Sequence, residues 1–170
     1  MIEENRHRII IGVFGENDPY PEIPKIVRKT TYGKELDFYK LTTETLLKKI
    51  PNEKFRTTIN KDSNVKEPVS LILELIRSER FWECHEVLED RWRKLDGVLK
   101  EIARYLIRIF VGQVKWQMGQ YKLSEEITND SLMKLNKLTG LPVNQILKRP
   151  EYPMVPGKSL DILLKQIYIN

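Results

Sequence analysis

Three side chains in the stretch Phe81–Trp92 (FWECHEVLEDRW) have types and spacing that could do chemistry. His85 and Glu89 are four residues apart, and Glu86 is three before Glu89. On a helix these separations put an imidazole and two carboxylates on one flank. Such a group can hold a small ligand by hydrogen bonds, shuttle a proton, or supply part of a metal site. A helical wheel sets Phe81, Cys84, Leu88, Trp92 and Leu95 in an adjoining apolar arc, so the polar flank lies where core meets water. Trp82 and Trp92 then wall the site.

A second charged feature lies downstream. Arg104, Arg108 and Lys115 form a basic stripe on an otherwise apolar segment, 98–119, that includes Ile102, Ala103, Leu106, Ile107, Ile109, Phe110 and Val114. A cationic line on a buried helix must face water or meet acids, and Glu86 and Glu89 are the acids nearest in sequence. The expected ligand-binding site therefore comprises His85, Glu86, Glu89, Trp92, Arg108 and Lys115. If Glu89 meets Arg108 or Lys115 half-buried, Glu89→Gln should cost on the order of 1–3 kcal/mol.

His85-Glu86-x-x-Glu89 is close to the zinc motif H-E-x-x-H, with a glutamate for the second histidine. His85 and Glu89 could ligate a divalent metal, with Glu86 as base in a hydrolase, given a third ligand. His7 is the sole other histidine, and the second Glu-x-x-His of the di-metal bundles does not occur in 98–119. No nucleophile or oxyanion donor can be named, so no catalytic residue is assigned and no cofactor is expected. Cys84, inside the apolar arc, reads as an inert core thiol. Pro156-Gly157-Lys158-Ser159 has the end of a phosphate loop but lacks its first glycine, where Tyr152 stands. Gly12–Gly15 reads as a turn.

The elements that position these residues change character along the chain. Arg8–Phe14 is a β-branched run, and Lys25–Tyr32 with Glu35–Thr42 reads as a hairpin about Gly33-Lys34. Thr43–Ile50 reads as a short helix stopped by Pro51, and Lys54–Ile59 as another strand. After a polar linker the period becomes helical, with Pro68 in a first turn and helices over Phe81–Leu95, Val98–Gly119, Lys122–Leu138, Pro142–Leu147 and Leu160–Tyr168, the last capped by Ser159. Asp96-Gly97 makes the second and third of these antiparallel. The segments beginning at Leu75 and Val114 repeat a pattern of helix, turn, aromatic and helix, offset by about forty residues. The fold class expected is mainly α: a compact bundle of five or six helices in antiparallel hairpins, with a β-rich N-terminal extension. The divisions are 1–66 for that extension, 67–140 for the helical core, and 141–170 for a proline-rich segment and final helix packing on that core.

Bulk composition narrows the functional classes. The 170 residues are 41% hydrophobic and 31% charged, as in a globular domain. No apolar run approaches a membrane span, no signal peptide is read at the start, and one cysteine excludes an internal disulfide. A cytoplasmic location is the expectation. The net charge of +5 is spread evenly, with 13 Lys+Arg against 10 Asp+Glu in 1–66 and 16 against 14 in 67–170. Nucleic-acid binding through the basic N-terminal part is therefore a minor alternative, because affinity there needs clustered phosphate contacts.

F-W-E-x-H-E-x-L-E-x-x-W-R at 81–93 and L-I-x(8)-W-x-x-G at 106–119 resemble the domain of unknown function 309 family over about residues 68–138. The resemblance implies a small all-α bundle. It also implies glutamine, histidine and asparagine where this chain has Arg108, Lys115 and Gln120. Cations in place of a neutral amide and an imidazole suit carboxylates better than a metal. The chain thus reads as an interaction or small-ligand-binding module, its partner an unknown protein or small molecule, with the metal-dependent hydrolase as the alternative.

Overall fold

The computed structural model describes residues 7–41, 51–59 and 68–169, and the chain divides into two compact units, Met1–Asn64 and Val65–Asn170. The short helix expected at 43–50 lies outside the described residues. No helix among those described is long and apolar enough to cross a membrane. The helices predominate, and the N-terminal unit is a small antiparallel sheet.

That sheet has the strands β1 (His7–Phe14), β2 (Ile26–Lys29), β3 (Gly33–Leu41) and β4 (Glu53–Ile59) in the order β2-β3-β1-β4. Alternation sends Ile11, Val13, Leu36 and Phe38 to one face, where Tyr20 joins them in a small core. The opposite face is also buried, and it is charged. Arg28, Glu35 and Asp37 are at most 1% exposed. Arg28 Nη1 is 2.5 Å from Glu35 Oε1, Arg28 Nη2 donates to Asp37, and Arg8 grips Asp37 through Nε at 2.9 Å and Nη2 at 2.6 Å. Burial alone would raise the Asp37 pKa; the Arg8 hydrogen bonds and the Arg28 charge outweigh it and hold the carboxyl below its usual range. Gly12 belongs to β1 rather than to a turn: the Phe55 ring covers its Cα, and an added Cβ would meet that ring at 2.4 Å.

The second unit contains α1 (Pro68–Arg77), α2 (Phe81–Trp92), α3 (Gly97–Gln117), α4 (Tyr121–Thr139), α5 (Val143–Ile146), the strands β5 (Leu147–Arg149) and β6 (Val155–Pro156), and α6 (Lys158–Ile169). Its helices share one apolar core, with α3 packing against α2, α4 and α6. The forty-residue repeat is present in the backbone. Glu79 and Gly119 both take left-handed conformations, at φ 58° and 79°. Arg80 and Gln120 follow at φ −89°, ψ 54° and φ −92°, ψ 60°. Their amides donate to Leu75 O and Lys115 O, each at 2.9 Å. The α1–α2 and α3–α4 turns are thus built alike, although only the second uses glycine where an L side chain is strained.

One expectation needs correction. Ser159 does not cap α6: it lies inside the helix, 4% exposed, with its Oγ 3.4 Å from Gln145 Oε1. The proline-rich segment between β5 and β6 is tied to α3: Gln113 Nε2 donates to Pro150 O at 3.0 Å and Gln113 Oε1 accepts from Met154 N at 2.9 Å.

Candidate functional site

Helix α2 starts without a side-chain cap, and Arg80 instead clasps Glu83 in the first turn at 2.7 and 2.6 Å. Its core face is Phe81, Cys84 and Leu88, all fully buried, and the Cys84 thiol points to Ile72 O of α1. Helix α6 covers the opposite flank: Arg91 Nε donates to Ile167 O at 2.7 Å, and the Tyr168 hydroxyl donates to Val87 O at 3.2 Å. Burial pushes the Tyr168 phenol up to about 12. What remains is the flank bearing Trp82, His85, Glu89 and Trp92, spaced 3, 4 and 3 residues apart so that they run down one stripe.

Within the stripe, the rings of Trp82 and His85 lie 5.1 Å apart at 39°. His85 Nε2 is 3.7 Å from Glu89 Oε2, and Nδ1 is 3.9 Å from Glu86 Oε1. Both separations exceed a hydrogen bond, so the carboxylates stand around the imidazole without closing on it. Glu89 turns its other oxygen to Arg93 at 3.0 Å. Lys100, in the first turn of α3, sits 5.1 Å over the Trp92 ring. Two ring nitrogens of the stripe, His85 Nδ1 and Trp92 Nε1, are buried with no hydrogen-bond partner among the described residues.

Arg108 and Lys115 do not belong to this group. Arg108 Nη2 reaches Asp130 of α4 at 3.2 Å and its Nε reaches Ser131 Oγ at 3.3 Å. Gly112 explains the direction. It lies four residues after Arg108 and three before Lys115, and its Cα is pressed against Thr128 and Ser124 of α4. Arg108 therefore lies on the α3–α4 seam, and the helical spacing puts Lys115 near the same arc, while Arg104 pairs with Glu101 within α3. Glu89 finds its cation at Arg93, the residue that follows α2. Among the described residues no group of three or more His, Cys, Asp or Glu side chains is arranged to hold a metal ion.

A second polar group went unread in the sequence. Gln113 and Gln117, four apart and each 1% exposed, interrupt the apolar face of α3. Gln117 Nε2 donates to Glu79 O at 2.9 Å and to the Tyr152 oxygen at 3.2 Å, and the Tyr152 hydroxyl donates to Glu79 Oε2. These contacts hold Glu79 in its left-handed conformation and seat Tyr152 against Trp116, ring to ring at 3.9 Å and 2°. Beside that stack opens a cleft of about 300 Å³ between the start of α4 and the proline-rich segment. Two amides at helical spacing on a buried face were the sequence signal that could have led there.

The fold defines a class first: a mainly helical chain with a small antiparallel sheet in its N-terminal unit and a polar stripe on the second helix. Residues 69–126 match the family model described as Domain of unknown function (DUF309), which covers about a third of the chain, including all of α2 and α3. No curated protein and no solved structure matches this chain.

Proposed function

We propose that this protein is a non-catalytic binding module. In this reading its helices form a compact bundle of antiparallel hairpins, and the stripe Trp82–His85–Glu89–Trp92, with Glu86, contacts a protein segment or small ligand. The observation that carries it is the pair of buried ring nitrogens, His85 Nδ1 and Trp92 Nε1, without a hydrogen-bond partner among the described residues, with the Glu86 and Glu89 carboxylates 3.9 and 3.7 Å from the imidazole. Buried polar atoms in native proteins are nearly always satisfied, and a partner that brings its own donors and acceptors would complete them. Arg108 and Lys115 are no part of this surface, since their helix arc faces α4.

The competing interpretation is a histidine kept for stability. All three tryptophans lie in the helical unit, so tryptophan fluorescence follows its unfolding alone. A residue retained for binding leaves the free protein less stable than it could be. His85→Leu, which removes the unsatisfied nitrogen and keeps the volume, should leave stability unchanged or raise it by up to about 1 kcal/mol. A loss of about 2 kcal/mol or more would show that the imidazole holds the fold together, and would end the reading.

A further inference from the structure

The cleft beside the Trp116–Tyr152 stack has a chemistry of its own. Trp116 and Tyr121 meet with ring centroids 5.2 Å apart and planes at 58°, forming a corner of two aromatic walls. Tyr152 supplies the third ring, and its position is set twice over, by stacking on Trp116 and by the Glu79–Gln117 hydrogen bonds. Among the described residues, the charged ones lining the cleft are Glu125 and Glu151, with no lysine or arginine. This is a local reversal in a chain whose net charge is +5. Two of the cations nearby in sequence have other neighbours: Lys122 Nζ lies 4.0 Å from Glu126, and the Arg149 guanidinium donates to Pro153 O at 2.7 and 3.2 Å.

We infer that this cleft is a recognition site for a substituted ammonium or guanidinium group. The faces of indole and phenol rings carry negative quadrupole charge and attract a weakly hydrated cation, and flanking carboxylates add a Coulombic term that a neutral guest of the same shape does not receive. The volume of about 300 Å³ is at the lower end for small-molecule sites and admits such a head group with part of its chain. The site is distinct from the α2 stripe and does not depend on it. Its source is either a free small cation or the side chain of a lysine or arginine in a peptide, and these share one head-group chemistry.

The test uses the whole chain labelled with nitrogen-15, with the three indole signals assigned by Trp→Phe variants. Tetramethylammonium, methylguanidinium, blocked lysine and arginine amides, and neutral tert-butanol are each titrated to about 50 mM, a range that captures the millimolar affinities expected of such small probes. The expected result is a saturable shift of the Trp116 indole with the cations and none with tert-butanol. Glu125→Gln combined with Glu151→Gln, both exposed and harmless to packing, should weaken binding by roughly tenfold. Tighter binding of the blocked amino acids assigns the site to a peptide side chain, and tighter binding of tetramethylammonium assigns it to a free cation. An equal shift with tert-butanol, indifference to the double substitution, or no shift with any cation would overturn the inference.

Discussion

Gly112→Ala should destabilise the helical unit, although in an open helix the same change stabilises by about 1 kcal/mol through propensity alone. The added Cβ would stand 2.3 Å from Thr128 Oγ1 and 3.2 Å from Ser124 O, where α3 and α4 approach most closely at this point. Ordinary contact needs about 3.5 Å, so either the helices part by about 1 Å or Thr128 leaves its rotamer. Overpacking of this kind costs about 1–3 kcal/mol, and after the propensity gain the net loss is about 0–2 kcal/mol. A double-mutant cycle separates the two contributions. With Thr128→Ala the oxygen is gone and the nearest Thr128 atom left is Cβ at 3.5 Å, an acceptable contact. In that background only the 3.2 Å approach to the Ser124 carbonyl remains, and Gly112→Ala should be less destabilising by about 1–3 kcal/mol, which is the coupling in favour of the double variant. Urea denaturation followed by tryptophan fluorescence measures it, because every tryptophan is in this unit. If Gly112→Ala alone stabilises by the full helical propensity, or the coupling is zero, the close approach of α3 to α4 is wrong, and with it the reason given for the direction of Arg108.

The remaining predictions concern charge. Asp37 has a folded pKa below its unfolded value, so its contribution is present above about pH 4 and is lost as pH falls through the lower folded value. The protection factors of the Leu36 and Phe38 amides, taken relative to intrinsic exchange at each pH, should therefore fall on acidification below about pH 4, and unchanged protection down to about pH 2 would contradict the ion cluster. Glu89→Gln should cost less than about 1 kcal/mol, because Glu89 and its partner Arg93 have side chains 30% and 61% exposed. This replaces the larger cost that a half-buried pairing with Arg108 or Lys115 implied; a measured loss of about 2 kcal/mol or more would restore a buried role for Glu89.

The sequence by itself determined which segments are helical, where they turn, and how His85 stands to Glu89. Those are local properties: periodicity places Phe81, Cys84 and Leu88 on one arc of α2, Asp96-Gly97 opens α3 and Gly140 closes α4, and an i, i+4 spacing makes two side chains neighbours wherever the helix goes. The forty-residue repeat was legible for the same reason, since each turn is built from residues adjacent in the chain. Only the tertiary structure decided what stands opposite each arc. Periodicity gives Arg108 an azimuth on α3 but not the helix that occupies it, and the smallness of Gly112 lets α4 come close there. Alternation put Glu35 and Asp37 on the face opposite Leu36 and Phe38, yet that this face is buried depends on Arg28 and Arg8 arriving from other strands. Tyr152 lies 73 residues from Glu79 and 35 from Gln117, so no spacing rule could join them. Contacts across such distances form only when distant helices pack, and the cleft they shape belongs to the packed chain alone.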